Sequence, residues 1–143
     1  MLIDLAITRL KAQVPALKAV GTAADLALAR ANAAASVQFP RAYVLTVAET
    51  GQNNRFLSGG VAQHRQVRLA VVLVVRNVRD ASGVAAGGDM QTLRALTDAA
   101  LFGYTPADFI EPLMFDAGKL LALQDGELWW QDEYLTSFDR RNV

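Results

Sequence analysis

The sequence predicts an α+β fold: a mostly antiparallel twisted sheet with two main helices packed on one face. Three observations predict it. Two segments, one near the start and one following Asp89, repeat apolar residues at helical spacing. The stretch from Gln66 to Arg76 alternates as a strand and is apolar on both sides at its centre, the mark of a strand covered on both faces. Asp125–Gly126 is a two-residue hairpin signal between apolar runs. Most neighbours in the sheet are therefore antiparallel, and the helices follow as a separate layer.

Each element has its own local reason. Leu2, Ile3, Ala6, Ile7, Leu10 and Val14 form one helical stripe, and Pro15 stops it. Asp4 in the first turn and Lys11 near the end suit the helix dipole. Thr22 and Asp25 stand at capping-box spacing before an Ala-rich helix of about two turns, to near Ala31. Residues 32–40 read as an extended connector. Arg41 to Glu49 reads as a strand, rich in Tyr, Val, Leu and Thr. Thr50 to Gln63 holds Gly51, Asn53, Asn54, Ser58, Gly59 and Gly60, and reads as a long, mobile functional loop.

Asp80 to Gly88 reads as a Gly/Ala loop, with Asp89 as the N-cap of a helix carrying Met90, Leu93, Leu96, Ala100 and Leu101. Gly103 closes that helix. Leu113 to Phe115 and Lys119 to Leu123 read as strand pieces, and Leu128 to Phe138 as the return strand. A two-residue turn at Asp125–Gly126 sets Leu123 opposite Leu128, Leu121 opposite Trp130 and Lys119 opposite Asp132.

Composition narrows the function classes. At 143 residues the chain, residues 1–143, is expected to be a single domain, large enough to bury a core. It has no Cys and one His, which excludes disulfide scaffolds, thiolate metal sites, cysteine nucleophiles and multi-histidine sites. Formal charge is zero, so nothing attracts it generally to nucleic acid or an anionic membrane. The longest apolar run, Leu69 to Val75, is far short of the roughly 18 residues of a membrane span. With no signal peptide visible after Met1, the expectation is a small soluble protein kept in a cytoplasm. Hydrophobic residues make up 52% and mean hydropathy is +0.20. Either Ala-rich helices account for that excess, or another subunit covers apolar surface.

The balanced charge hides an asymmetry. Residues 1–79 hold ten basic and three acidic side chains, net +7, and residues 80–143 hold four basic and eleven acidic, net −7. Folding cancels these charges inside one chain, or Arg55, Arg65, Arg68 and Arg76 face Asp125, Glu127, Asp132 and Glu133 of a neighbouring copy.

Catalytic patterns fail one by one, and no enzyme activity or cofactor is expected. His64 is the one imidazole, and no Gly-x-Ser-x-Gly elbow accompanies it, so it reads as a surface residue. Gly118–Lys119 is followed by Leu120 and lacks the earlier glycine of a phosphate loop. Asp125, Glu127, Asp132 and Glu133 read as solvated hairpin charges rather than a metal or acid–base site. Trp129 and Trp130 point to opposite faces. Trp130 joins Leu121, Leu128, Tyr134 and Phe138, and Trp129 is either an interface anchor or packed over the hairpin.

The segments LKAQVPALKAVGTAADL, RAYVLTVAE, VAQHRQVRLAVVLVVRN, DMQTLRALTDAALFGY and DGELWWQDEYLTSF together resemble the tail terminator proteins of long-tailed bacteriophages and their prophage relatives. The resemblance spans nearly the whole chain and rests on element order and segment character. It implies a tail-terminator-like fold and a structural role. Such proteins form a ring, commonly of six copies, that caps the tail tube, ends its polymerisation and offers a surface for head joining. The implied partners are the chain itself, the tail tube protein and a head–tail joining protein, with no sequence-specific nucleic acid and no membrane. The implied place is the virion tail, assembled in the host cytoplasm. Arg55, Phe56, Leu57, His64, Arg65, Arg68, Trp129, Asp132 and Glu133 are the candidate interaction residues. The alternatives are another neck or tail-completion protein, or a small binding or enzyme domain with a pocket under residues 50–63.

Overall fold

The computed structural model describes residues 2–31, 38–76, 84–124 and 126–142. Eight elements follow in the order α1 (Leu2–Gln13), β1 (Ala19–Gly21), α2 (Ala23–Ala31), β2 (Arg41–Gly51), β3 (Val61–Arg76), α3 (Val84–Leu101), β4 (Met114–Gln124) and β5 (Glu127–Asn142). The strands form one sheet in the order β1-β2-β3-β5-β4. β1 is parallel to β2, and every other pairing is antiparallel. The result is the predicted α+β architecture.

The local signals explain the helices. Val14 N–H still donates to Leu10 C=O at 2.8 Å, and Pro15 then ends α1. At the head of α2 the Thr22 N–H donates to Asp25 Oδ2 at 2.8 Å, half of a capping box with Asp in place of Glu. α1 and α3 lie together on one face. Leu2, Ala6 and Leu10 of α1 and Met90, Leu93, Ala100 and Leu101 of α3 pack on Val67, Leu69, Val71, Leu73 and Val75 of β3. Trp130, Phe138 and Tyr134 of β5 join this core. The opposite face is covered only in part. There α2 places Leu26 and Ala29 over Tyr43, Val72, Val74 and Trp129. Both faces of β3 are thus buried at its centre, as its apolar run requires.

Four details differ from the sequence reading. The 50–63 loop is shorter, because β2 continues to Gly51 and β3 begins at Val61. Polar strands pairing with each other need no apolar signature. α3 starts at Val84, not after a cap at Asp89, and runs through Gly87 and Gly88 against their low helix propensity. Residues 80–83 of that expected loop, residues 32–37 of the connector and the turn residue Asp125 lie outside the described residues. The two strand pieces before the hairpin are one strand, β4, with irregularities at Phe115/Ala117 and Leu120/Ala122. The second of these shifts the register. Leu123 does face Leu128, but Leu120 rather than Leu121 faces Trp130, and Gln131 rather than Asp132 faces Lys119. Leu121 consequently joins Trp129 on the α2 side. α2 covers Trp129 as well, so its ring packs within the chain.

The strands outrun the helices. Beyond Val67 the β2–β3 hairpin continues as a narrow arm, with the end of β5 alongside it, to Val61 paired with Asn142. Most of the arm is exposed or half-buried, with Ala62 and, at its base, Ser137 buried. At the opposite margin of the sheet, β4 is exposed along most of its length.

Candidate interaction surfaces

The arm ends in a turn ordered by one side chain. Asn54 Oδ1 accepts from the N–H groups of Phe56 at 3.1 Å and Ala62 at 2.9 Å, and Asn54 Nδ2 donates to Gly60 C=O at 3.2 Å. The Arg55 N–H donates to Ala62 C=O at 2.8 Å. Gly59 and Gly60 take φ values of 77° and 130°, a backbone path that side chains resist. Residues 54–62 of the expected loop thus form a hydrogen-bonded turn, which presents Leu57 fully exposed at its tip.

The predicted residues near this turn do come together. Arg55 forms a forked pair with Asp139, at 3.0 and 3.3 Å. His64 Nδ1 lies 2.9 Å from the same carboxylate, and its Nε2 lies 3.5 Å from Glu111. The hydrogen bond from His64, helped by the charge of Arg55, holds the Asp139 carboxyl below its usual range. An imidazole set between two carboxylates braces the arm to β5 and to the segment before β4. Arg65 Nε donates to Gln63 Oε1 at 2.7 Å. The Arg141 guanidinium stands 5.7 Å from the Phe56 ring centre. A cleft of about 250 Å³ beside the arm is lined by Val61, Gln63, Arg65, Arg140 and Asn142. Arg65, Arg140 and Arg141 have no carboxylate partner among the described residues.

The remaining predicted residues are engaged elsewhere and do not join the arm. Arg68, on the sheet face away from α1 and α3, pairs with Asp116 and, at 3.0 Å, with Glu133. These bonds raise the Arg68 pKa further above its ordinary value. Asp132 is buried, 3% exposed, and accepts a fork from Arg94. It also accepts from Trp130 Nε1 at 2.9 Å. Solvated hairpin charges were expected here; Asp132 and Glu133 instead hold internal ion pairs. Trp129 stacks on Tyr43 with ring centres 6.4 Å apart. Part of the charge asymmetry along the sequence cancels inside one chain, through Arg55 with Asp139 and Arg68 with Asp116 and Glu133.

A second surface escaped the sequence reading. Between α3 and β4 runs a cleft of about 390 Å³, lined by Gln91, Arg94, Ala95, Asp98, Phe102, Phe115, Asp132 and Tyr134. Its floor is a polar network. Tyr134 O–H donates to Asp98 at 2.8 Å, and Arg94 lies over the Trp130 ring at 4.5 Å. Burial, reinforced by Asp98, pushes the Tyr134 phenol far above its ordinary pKa, so it remains a neutral donor. Gly118 makes the network possible, since a Cβ there would lie 2.7 Å from Asp132 Oδ1. Apolar residues flank the cleft. Phe102, Phe115, Leu96, Leu120 and Leu123 are all at least two-fifths exposed. No alternation in the sequence announces it, because Phe115, Leu120 and Leu123 are separated by the irregularities of β4, and only the edge position leaves those side chains uncovered.

Among the described residues, no group of three or more His, Asp or Glu side chains is placed to hold a metal ion. No helix is long and apolar enough to cross a membrane. The fold and these surfaces define a small α+β protein that pairs many of its polar side chains with one another and leaves large apolar residues exposed at the arm tip, on α2 and along the α3–β4 border. A model of the phage tail terminator protein family matches residues 2–142, and the chain belongs to that family. It is a structural component of the phage virion tail. No curated protein matches the chain.

Proposed function

We propose that copies of this chain, each one domain of residues 1–143, close into a ring of six that caps the finished tail tube. The ring ends tube polymerisation and presents a surface to the head–tail joining protein, within a bacterial host carrying the prophage. The observation that supports this most is the exposed apolar surface on two separate margins, the arm tip at Leu57 and the α3–β4 border at Phe102, Phe115 and Leu120. A subunit with a neighbour on each side covers both. In this reading Arg55, Phe56, Leu57, His64 and Arg65 act at the arm, Arg55 and His64 by bracing it. Arg68, Trp129, Asp132 and Glu133 act indirectly by fixing the sheet.

Native mass spectrometry over a range of concentrations tests the ring, with a closed six-subunit species expected. Tail lengths measured by electron microscopy test the cap, since loss of the chain should give overlong tubes. A strict monomer that also fails to bind purified tails would remove the proposal.

A further inference from the structure

Leu57 and the α3–β4 cleft cannot meet within one chain. The cleft floor at Tyr134 and the arm end at Asn142 are eight residues apart on β5, about 27 Å at the rise of a strand, and Leu57 lies beyond that end. Yet the two surfaces match. The tip offers apolar Phe56 and a fully exposed Leu57. Arg65, Arg140 and Arg141 near it lack carboxylate partners among the described residues. The cleft offers apolar walls, Ala95, Phe102 and Phe115, and an excess of negative charge. Arg94 is neutralised by Asp132, whereas the Asp98 carboxylate is met by the neutral Tyr134 hydroxyl.

We infer that the Leu57 turn of one copy docks in the α3–β4 cleft of the next, a head-to-tail contact that repeats around a closed ring. The inference rests on the ring reading and supplies its joint. The turn is held by Asn54 before docking, so little ordering accompanies association. Unlike surfaces at separate places on the subunit generate a heterologous contact, which closes if the rotation per step allows it. Asp98 meets the unpaired arm arginines, which favours the register in which the apolar tip enters the cleft.

The chain has no cysteine, so engineered thiols report the contact directly. Leu57→Cys and Ala95→Cys change two exposed positions, one at the tip and one lining the cleft. Under mild oxidation the double variant should give a covalent ladder up to the ring number on a non-reducing denaturing gel, lost on reduction. An equimolar mixture of the two single variants should give one covalent dimer, and neither alone should cross-link. Leu57→Asp should weaken association about tenfold or more with an unchanged circular dichroism spectrum. A double variant that assembles by native mass spectrometry without a ladder overturns this joint and leaves the ring intact. Dimers from Leu57→Cys alone overturn it too, since tip would then meet tip. A wild-type chain that is monomeric at every concentration and does not bind tails removes the ring reading itself.

Discussion

The middle of the sheet and its margins are made of the same strands and behave as different materials. From Leu69 to Val75, β3 is buried on both faces, under α1 and α3 on one side and under α2 on the other. At the arm the same strand is mostly uncovered, and on β4 neither face is fully covered. Hydrophobic burial concentrates stability in the middle. The margins are shaped instead by directed hydrogen bonds: Asn54 in the turn, Asp139 with Arg55 and His64 on the arm, Asp132 with Arg94 beside β4. Such bonds fix geometry at small net cost or gain. A tail component needs both, a centre that stays folded and margins that keep a defined shape while exposed.

The comparison is broken most strongly at the centre. Leu73 is fully buried, and Leu73→Ala should cost about 3 kcal/mol in denaturant unfolding, whereas Leu57→Ala should leave the unfolding midpoint unchanged. Equal effects would erase the distinction between core and margin. At the border between the two regimes, Asp132→Ala leaves the Trp130 N–H and the Arg94 fork without their acceptor. The Arg94 side chain is about one-third exposed, so water takes up part of its charge. A loss of about 2 kcal/mol is expected, smaller than for a fully buried pair. Gly118→Ala should cost about 1–2 kcal/mol, because the new methyl contacts Asp132, Arg94 and the Trp130 ring nitrogen at once. A neutral Gly118→Ala would show that β4 shifts freely at its irregularities.

The smallest effect separates the arm from the rest by pH. The Asp139 pKa is lowered in the folded chain, so its bonds to His64 and Arg55 contribute above the ordinary aspartate value near 3.8 and fade as pH falls through the lowered value. A nuclear magnetic resonance titration should show Arg55 and His64 signals moving in that acid range while the Leu73 amide stays put. Movement of core signals together with the arm would mean that the two regions unfold as one. Asp139→Asn should abolish the arm transition and leave global stability nearly unaltered.

The sequence by itself determined the elements whose signals are local. Helical spacing with Pro15 as a stop gave α1, the Thr22–Asp25 spacing gave the start of α2, and the two-sided apolar run gave a central β3. Its segments also carried the family, which the match over residues 2–142 shows. Only the tertiary structure decided what depends on a neighbour remote in sequence. The irregularity at Leu120/Ala122 moves Leu121 to the α2 side, and no residue there announces it. The extension of β2 and β3 past Glu49 and before Gln66 comes from strands pairing with one another rather than from apolar character. Whether Trp129 and Asp132 face solvent was undecidable from their own strand, because α2 covers the first and Arg94 of α3 reaches the second. The α3–β4 cleft exists for the same reason. Periodicity reports which side of an element is apolar, but burial is a property of what packs against it, and that is settled by contacts between residues far apart in the chain.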